Sequence, residues 1–289
     1  MIEGVIEASP RKFGRPRDEA ARDALFAIVA DAAPCTVRQA FYLAMVRGVV
    51  AKTEAGYDKV GRLLKSMRLD GELPWSWIDD NTRWQRKPTT YGGLDDAAVA
   101  WAAGYRRTLI PALGLIEIWL EKDALAGVVY PVTAEWDVPL MVSRGYSSLS
   151  FLHDAAEAWQ SGDDPVFVYY LGDHDPSGRD IDRNIESRLR EFAPGIDLDF
   201  RRIAVTERQI AEWNLPGRPT KKSDSREAKW GGGDSVELDA IPPDTLRTLV
   251  RAAIEAHVDP ETHARILAVE AAERGSIRAF GTALRGRTN

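Results

Sequence analysis

Three segments near the start of the chain have the hydrophobic spacing of amphipathic helices. The first, residues 18–34, repeats apolar side chains three and four positions apart and ends at a proline. The second, residues 36–48, opens with Thr36 and has Gln39 three residues later, the spacing of a capping box, and it stops at a glycine. The third covers residues 53–71 and also closes at a glycine. The pattern therefore predicts three short helices.

The third predicted helix carries basic side chains at regular intervals. They are Lys59, Arg62, Lys65 and Arg68. Three short helices of which the last is basic have the layout of a helix-turn-helix, and residues 72–88 (ELPWSWIDDNTRWQRKP) have a suitable length for a wing. We therefore expect these basic residues to bind DNA. A plain three-helix bundle with a solvated basic face is the alternative.

From residue 115 onward the pattern changes to alternating strands and helices. Residues 89–114 predict a linker and a connecting helix before this change. Strands are predicted at 115–123, 139–145, 165–173 and 198–205, helices at 123–136, 147–159 and 177–192, and two more helices after Pro242. Residues 218–235 are polar and glycine-rich, as in a loop. Nearly continuous apolar strands separated by helices indicate an α/β fold with a mainly parallel sheet covered on both faces.

The charge of the chain is unevenly distributed. The 289 residues are 44% hydrophobic, enough for one large core or two modest ones, and we expect two domains. The net charge is −6, but residues 1–110 hold 17 Lys and Arg against 14 Asp and Glu, whereas the remainder hold 21 against 30. An acidic domain can face DNA when divalent cations neutralise its carboxylates. An ordinary distribution of surface charge is the alternative explanation for this difference between the two parts of the chain.

Several classes of protein are disfavoured by the sequence. No apolar run reaches the length of about 18 residues that a transmembrane helix needs. The first 23 residues are too charged for a signal peptide, so we expect a cytoplasmic protein without a membrane partner. A single cysteine, Cys35, allows neither an internal disulfide nor a cysteine-based zinc cluster.

Three carboxylates follow predicted strands. Glu121 ends the first strand, and Asp173 and Asp175 end the third. Because the carboxyl ends of parallel strands meet at one edge of a sheet, we expect these three side chains to converge. Grouped carboxylates repel one another unless a hard cation lies between them, and Mg²⁺ prefers oxygen ligands. The sequence thus predicts a Mg²⁺ site with these residues as ligands.

A purely structural interpretation of the same carboxylates is also open. Glu121 has Lys122 beside it and Arg144 as a further candidate for an ion pair. The two aspartates precede a predicted helix that opens at Ser177, so they are in position to cap it.

The residues around these carboxylates resemble a known family. The stretches EKDAL, SRGYSSLSFL and LGDHDPSGRDI are similar to the Toprim domain in the DNA-cleaving subunit of topoisomerase VI and in its meiotic double-strand-break relatives, which carry an Asp-x-Asp-Pro-x-Gly segment. The resemblance covers about residues 36 to 245. It implies a winged-helix domain at 1–88, a linker and connecting helix at 89–114, and a Toprim domain with C-terminal helices at 115–289. It also implies that the Mg²⁺ site faces DNA phosphate.

The family has a catalytic tyrosine on a helix of the winged-helix domain. The stretch TVRQAFY falls at that position, and Arg38 and Tyr42 match the family pattern, whereas Gln39 replaces an acidic residue and Phe41 replaces the first of two tyrosines. Positions four apart share one helix face, so the Arg38 guanidinium can approach a phosphate attacked by Tyr42. A helical tyrosine among apolar residues is also common in cores.

The resemblance implies tyrosine attack on double-stranded DNA that gives a 5′-phosphotyrosyl link. In the family the tyrosine of one subunit meets the metal site of another, which implies a homodimer that makes paired nicks. The chain has no Walker A sequence. Either a separate ATPase subunit supplies ATP coupling or the protein only cuts.

Two other functions fit the same sequence. One is a Toprim nuclease that uses metal-activated water, and the other is a non-catalytic DNA-binding assembly module. Glu237, in the stretch SVELDAI, resembles a late glutamate of the family domain; an auxiliary metal ligand and a helix-entry residue are its two interpretations.

Overall fold

The chain folds around one parallel β-sheet. The computed structural model describes residues 16–79, 87–109, 114–159, 164–219 and 234–285. The strands of this sheet are β1 (Leu115–Leu120), β2 (Leu140–Val142), β3 (Val166–Leu171) and β4 (Leu198–Ala204). They are hydrogen-bonded in the order β2-β1-β3-β4, and each neighbouring pair is parallel. The predicted α/β class and the parallel sheet are confirmed.

Three helices begin the described chain, as predicted. They are α1 (Pro16–Ala32), α2 (Val37–Val46) and α3 (Glu54–Leu69). The predicted capping box of α2 is present: the Thr36 hydroxyl accepts from the Gln39 N–H at 3.1 Å, and the Gln39 side-chain oxygen accepts from the Thr36 N–H at 3.0 Å. At the start of α3 the Thr53 hydroxyl accepts from the N–H of Gly56, without the reciprocal bond of a capping box. Local hydrogen bonding thus defines where these helices begin.

The segment between α1 and α2 pairs with the segment that follows α3. The N–H of Cys35 donates to the carbonyl of Trp77 at 3.0 Å, and the N–H of Asp79 donates to the carbonyl of Cys35 at 3.0 Å. The bridge is parallel. The predicted wing at 72–88 continues into residues 80–86, which lie outside the described residues.

Seven further helices follow α3 in the described part of the chain. They are α4 (Leu94–Gly104), α5 (Ala126–Glu135), α6 (Leu149–Trp159), α7 (Pro176–Phe192), α8 (Glu207–Glu212), α9 (Pro243–Glu255) and α10 (Pro260–Arg285). Short 3₁₀ turns lie at Trp75–Trp77, Asp123–Leu125 and Leu238–Ala240. The predicted connecting helix and the two predicted C-terminal helices are confirmed. Most of the predicted loop at 218–235 falls outside the described residues, but its ends form the antiparallel pair β5 (Arg218–Pro219) and β6 (Asp234–Ser235).

The side chains of the central strands alternate between two hydrophobic clusters. In β1, Ile116 and Ile118 point into the first cluster and Trp119 into the second. Helices α6 and α7 cover the second cluster, while α5 and α9 cover the first. The sheet is therefore covered on both faces, as the sequence predicts. On the second face Glu117 is buried and accepts hydrogen bonds from the indole N–H groups of Trp119 and Trp159 at 2.7 and 2.8 Å.

The first hydrophobic cluster also contains the N-terminal helices. Leu25 of α1 and Leu64 of α3 belong to the same contiguous set of buried side chains as Ile118 of the sheet and Val250 of α9. Phe41 and Tyr42 of α2 belong to it as well. The N-terminal helices are thus joined to one face of the sheet by shared apolar packing.

Helix α10 is 26 residues long and packs along α4. The two helices approach closely, since a Cβ added at Gly281 would lie 2.7 Å from the Cβ of Ala98. Among the helices of the described residues, neither α10 nor any other is long and apolar enough to cross a membrane.

Candidate functional site

Glu121 and Asp173 meet at the carboxyl edge of the sheet. They follow β1 and β3, which pair directly with Leu120 opposite Leu171. Glu121 Oε2 accepts a hydrogen bond from the backbone N–H of Asp173 at 3.0 Å. The intervening Gly172 leaves room for this contact, because a Cβ there would lie 2.5 Å from Glu121 Oε2. The structure brings these two predicted ligands together.

Asp175 has a different local role. Its side-chain oxygen Oδ1 accepts from the N–H of Gly178 at 2.7 Å, which makes it the N-cap of α7. This is the capping role of the structural interpretation. The charge of Asp175 still acts on the strand edge, because it contributes to raising the pKa of Glu121.

Lys122 supplies the positive charge at this edge. Its Nζ lies 2.7 Å from Asp239 Oδ2, 3.0 Å from Asp173 Oδ1 and 3.6 Å from Glu237 Oε2. Burial alone would lower the pKa of Lys122, but these three carboxylates raise it. The lysine is therefore a permanent cation within an acidic group.

The ion pairs of the structural interpretation form differently in the molecule. Lys122 pairs with Asp239, Asp173 and Glu237 instead of with Glu121. Arg144 pairs with Asp123, its Nη2 lying 2.8 Å from Oδ2. Glu121 instead accepts from the Asp173 N–H and, at 3.3 Å, from the Tyr170 hydroxyl.

Glu237 and Asp239 reach the site because their segment pairs with the loop after β3. His174 and Val236 exchange two backbone hydrogen bonds of 2.8 and 2.9 Å. The N–H of Leu238 then donates to Asp173 Oδ1 at 2.8 Å. This antiparallel contact places the side chains of Glu237 and Asp239 beside Lys122, close to the carboxyl ends of β1 and β3. Sequence reasoning did not include Asp239 or Lys122 among the site residues.

Arg202 on β4 holds the loop that carries Asp173. Its Nη1 donates to the carbonyls of Gly172 at 2.9 Å and Asp173 at 3.2 Å, and its Nη2 donates to the carbonyl of Gly178 at 2.9 Å. Its Nε lies 2.6 Å from Asp182 Oδ2. The stretch DFRRIA has no pattern that distinguishes this buried arginine from an exposed one.

Helix α2 brings Arg38 to the same edge. The Nη1 of Arg38 lies 2.6 Å from Glu237 Oε2, and Arg218 Nη2 lies 2.8 Å from the other oxygen, Oε1. Burial raises the pKa of a carboxyl, but Lys122 and Arg38 hold the pKa of Glu237 below its ordinary value. The carboxylate is thus ionised and bound by cations on both of its oxygens.

Tyr42 lies one turn further along α2 and is 7% exposed. Burial raises its pKa to about 12, the charge of Glu237 acts in the same direction, and the charges of Lys122 and Arg218 oppose it. The phenol therefore lies within the electrostatic field of the acidic group, and neutral pH keeps it protonated.

We call the residues of this region the strand-edge cluster. It comprises Glu121, Lys122, Asp173, Asp175, Glu237, Asp239, Arg38 and Arg218. Its five carboxyls outnumber its three cations, so two negative charges are in excess when every carboxyl is ionised. Burial raises the pKa of Glu121 to about 7, with a further contribution from the charge of Asp173. Among these eight side chains, carboxyl groups therefore outnumber cations.

The carboxylates fit a Mg²⁺ ion in chemistry, with one geometric restriction. One oxygen of Glu121 and one of Asp173 accept backbone N–H groups, which leaves the second oxygen of each for a ligand. However, within the described part of the chain, Glu121, Asp173 and Asp175 do not bring one oxygen each within 4.8 Å of one another, whereas the exposed residues His153, Asp154 and Glu157 of α6 do. Mg²⁺ commonly uses one or two carboxylates and completes its shell with water and phosphate, so a pair such as Glu121 and Asp173 matches the number of carboxylates it usually takes.

The predicted DNA-binding residues differ in their surroundings. Arg62 and Lys65 are exposed on α3, and Lys59 is half-buried. Arg68 packs over the ring of Trp75, its guanidinium carbon 4.4 Å from the ring centroid, and donates to the Trp75 carbonyl at 3.4 Å. Steps of three residues rotate around a helix by 300° each, so the four side chains spiral instead of forming one face.

Comparison with known proteins adds no family assignment. No protein-family model matches this chain, and no curated protein matches it.

Proposed function

We propose that this protein is a Mg²⁺-dependent DNA-cleaving enzyme that resembles the DNA-cleaving subunit of topoisomerase VI. In this proposal Tyr42 attacks a DNA phosphodiester and becomes linked to the 5′ phosphate. The observation that carries it is the contact of 2.6 Å between Arg38 and Glu237, because it joins the tyrosine helix to the strand-edge carboxylates. A nucleophile, a cation for the phosphate and a pair of metal ligands are then found in one region.

The sheet supports a Toprim-like domain. Its strands are all parallel, and the carboxylates Glu121 and Asp173 follow two directly paired strands. The N-terminal helices support a winged-helix domain, since the residue between α1 and α2 pairs with the segment after α3, as the first strand of a winged helix would. The names Toprim and winged helix rest on the sequence resemblance together with the parallel sheet and the β-bridge described here.

The reaction requires bond exchange at phosphorus without a net change of oxidation state. The Tyr42 oxygen forms a bond to phosphorus, the bond from phosphorus to the 3′ oxygen breaks, the phenol loses its proton to solvent, and the leaving 3′ oxygen takes up a proton. Mg²⁺ bound by Glu121 and Asp173 would stabilise charge on the transferring phosphoryl group.

Arg38 and Arg218 are suited to bind the phosphate. Each has a side chain 44% exposed, and each contacts the buried carboxylate of Glu237 on its inner side. Guanidinium groups bind phosphate and carboxylate oxygens in the same fork geometry. A DNA phosphate on their outer side would thus approach Tyr42 while Glu237 keeps both guanidinium groups in position.

A nuclease that uses metal-activated water is the second candidate. The burial of Tyr42 and its pKa of about 12 favour it, because a protonated, buried phenol is a poor nucleophile. In that case Tyr42 is a core residue and the cleaved DNA carries a free phosphate end.

The remaining expectations about partners stay part of the proposal. They are double-stranded DNA, a homodimer that makes paired nicks, and a cytoplasmic location. A separate ATPase subunit would be needed for strand passage, whereas cleavage alone would not require one.

The metal requirement tests this proposal. Supercoiled DNA is incubated with the protein and Mg²⁺ or Mn²⁺, and nicked and linear products are measured. We expect Glu121→Gln and Asp173→Asn to lower cleavage by at least about 10²-fold, the scale of losing one electrostatic stabiliser. Asp154→Asn, in the exposed group of α6, is the matched control and should cleave normally. Full activity of both strand-edge variants in the presence of a chelator would exclude the metal site.

A further inference from the structure

We propose that Arg202 is a positioning residue for the strand-edge metal site, because its buried guanidinium group connects the segments that carry the predicted ligands. Arg202 lies on β4, and its side chain is 7% exposed. The inference rests on the proposed function, in which Glu121 and Asp173 bind Mg²⁺. It gives Arg202 no contact of its own with the metal or with DNA.

The first connection is to the loop that carries Asp173. Arg202 Nη1 donates to the carbonyl of Gly172 at 2.9 Å and to the carbonyl of Asp173 at 3.2 Å. The loop is tightly closed here, since a Cβ added at Gly178 would lie 2.2 Å from the carbonyl oxygen of Asp173. The peptide groups on either side of the Asp173 Cα are thus held by one nitrogen atom, which restricts the direction of the Asp173 side chain.

The second connection is to the start of α7, where Asp175 is the N-cap. Arg202 Nη2 donates to the carbonyl of Gly178 at 2.9 Å, and the Gly178 N–H donates to Asp175 at 2.7 Å. Arg202 Nε lies 2.6 Å from Oδ2 of Asp182, a buried residue of the same helix. The beginning of α7 is thereby fixed to β4.

The third connection leads to Glu121 through an aromatic ring. The guanidinium carbon of Arg202 lies 5.2 Å from the ring centroid of Tyr170, a distance at which a cation and a ring attract each other. The Tyr170 hydroxyl donates to Glu121 Oε2 at 3.3 Å. One side chain therefore separates Arg202 from the second proposed metal ligand.

A positioning role and a role through charge predict opposite effects on metal binding. A cation near the site repels a metal ion, so by Coulomb's law alone the removal of Arg202 would strengthen binding. If the guanidinium group holds the ligands in place, its removal weakens binding. The loss of such a supporting contact typically costs about 10- to 100-fold in metal affinity.

Mn²⁺ affinity, measured by calorimetric titration, tests the inference. Arg202→Met keeps a long side chain without N–H donors, and we expect it to raise the Kd for Mn²⁺ by about 10- to 100-fold. Arg202→Met combined with Asp182→Leu gives the same comparison without an unpaired buried carboxylate, should the single variant not fold. Leu189→Ala is the control, since Leu189 is buried near the other end of α7 and its truncation weakens the fold without changing a contact of the loop.

The outcomes separate the inference from the proposed function. We expect Leu189→Ala to bind Mn²⁺ as the wild type does. An affinity that is unchanged or increased in the Arg202 variants would overturn the inference. Wild-type Mn²⁺ binding that is absent, or that is insensitive to Asp173→Asn, would instead refute the proposed metal site.

Hydrogen exchange of the metal-free protein provides a readout that needs neither metal nor activity. We expect the amides of residues 172–178 to lose protection in Arg202→Met and to keep it in Leu189→Ala. Equal protection of this loop in the two variants would show that the guanidinium group does not hold it, and would overturn the inference.

Discussion

In the part of the chain that the structure describes, two groups of titratable side chains could attract a metal ion, and they differ in closeness and in burial. On α6, His153, Asp154 and Glu157 bring their ligand atoms within 4.8 Å of one another, yet their side chains are 57 to 78% exposed. At the strand edge the carboxylates are less tightly grouped, but Glu237 and Asp239 are 4% and 2% exposed. Closeness and burial therefore point to different groups.

This comparison shows that a short distance between carboxylates is weak support for a metal site. Side chains four apart on any helix meet on one face, and exposed charges cost little because water solvates them. Buried carboxylates are costly unless cations compensate them. The strand-edge cluster joins separate segments of the chain and buries several carboxyl groups, which the geometry of a single helix does not explain.

The largest expected effect is on folding stability when the central cation is removed. Lys122→Met should lower the free energy of unfolding by about 3–5 kcal/mol, because buried carboxylates lose their partner. Glu157→Gln in the α6 group should change it by less than about 0.5 kcal/mol. Urea denaturation measures both. Equal small effects would mean that the strand-edge ion pairs are not formed.

The second effect is on the pH dependence of stability. Glu121 has a folded pKa of about 7, above its ordinary value of 4.5, so between these pH values the folded state binds more protons than the unfolded state. Stability must then fall as pH rises through this window, by up to about 3 kcal/mol. Burial also raises the pKa of Asp173, so this group contributes a slope in the same direction. We expect Glu121→Gln to make the slope shallower in denaturation curves recorded with a chelator, while Asp154→Asn keeps it. An unchanged slope in Glu121→Gln would assign it to another group.

The third effect is stabilisation by metal. Mg²⁺ or Mn²⁺ at about 100 times its dissociation constant should stabilise the fold by about 2.7 kcal/mol, seen as a higher melting temperature. Asp173→Asn should abolish the shift and Glu157→Gln should retain it. The reverse pattern would move the metal site to α6.

The smallest effect concerns exposed charge that acts on DNA instead of on the fold. Reversing Arg62 and Lys65 to glutamate should leave stability nearly unchanged and weaken DNA binding for all sequences. The slope of log affinity against log salt should flatten by about one unit for each lost phosphate contact. Arg68 packs on Trp75, so its substitution should affect folding as well. An unchanged salt slope in the double reversal would mean that α3 faces only solvent.

Local features of this fold could be predicted from the sequence. Thr36 and Gln39 specify the start of α2 through contacts within four residues, and the apolar runs specify the parallel strands. The meeting of Glu121 and Asp173 also follows, because strand ends converge in any parallel sheet. The hydrophobic pattern does not predict helix α8, although Thr206 and Gln209 form the same kind of capping box as Thr36 and Gln39 at α2.

The rest of the candidate site depends on contacts that no local pattern specifies. Arg38 and Glu237 are 199 positions apart in the chain, and Lys122 and Asp239 are 117 apart. Whether Lys122 pairs with its neighbour Glu121 or with a distant aspartate is decided by the pairing of His174 with Val236. The role of Arg202 likewise appears only once β4 lies beside the loop after β3.

Covalent capture of DNA by Tyr42 tests the account most directly. Protein is incubated with labelled supercoiled DNA and Mg²⁺, stopped with detergent, and separated from free DNA after nuclease digestion. A tyrosine nucleophile retains the cut strand, so label should stay with the protein, map to the peptide that contains Tyr42, and be lost in Tyr42→Phe, which removes only a hydroxyl and preserves packing. Cleavage by Tyr42→Phe at the wild-type rate, with free phosphate ends and unlabelled protein, would contradict the account and leave the water-using nuclease in its place.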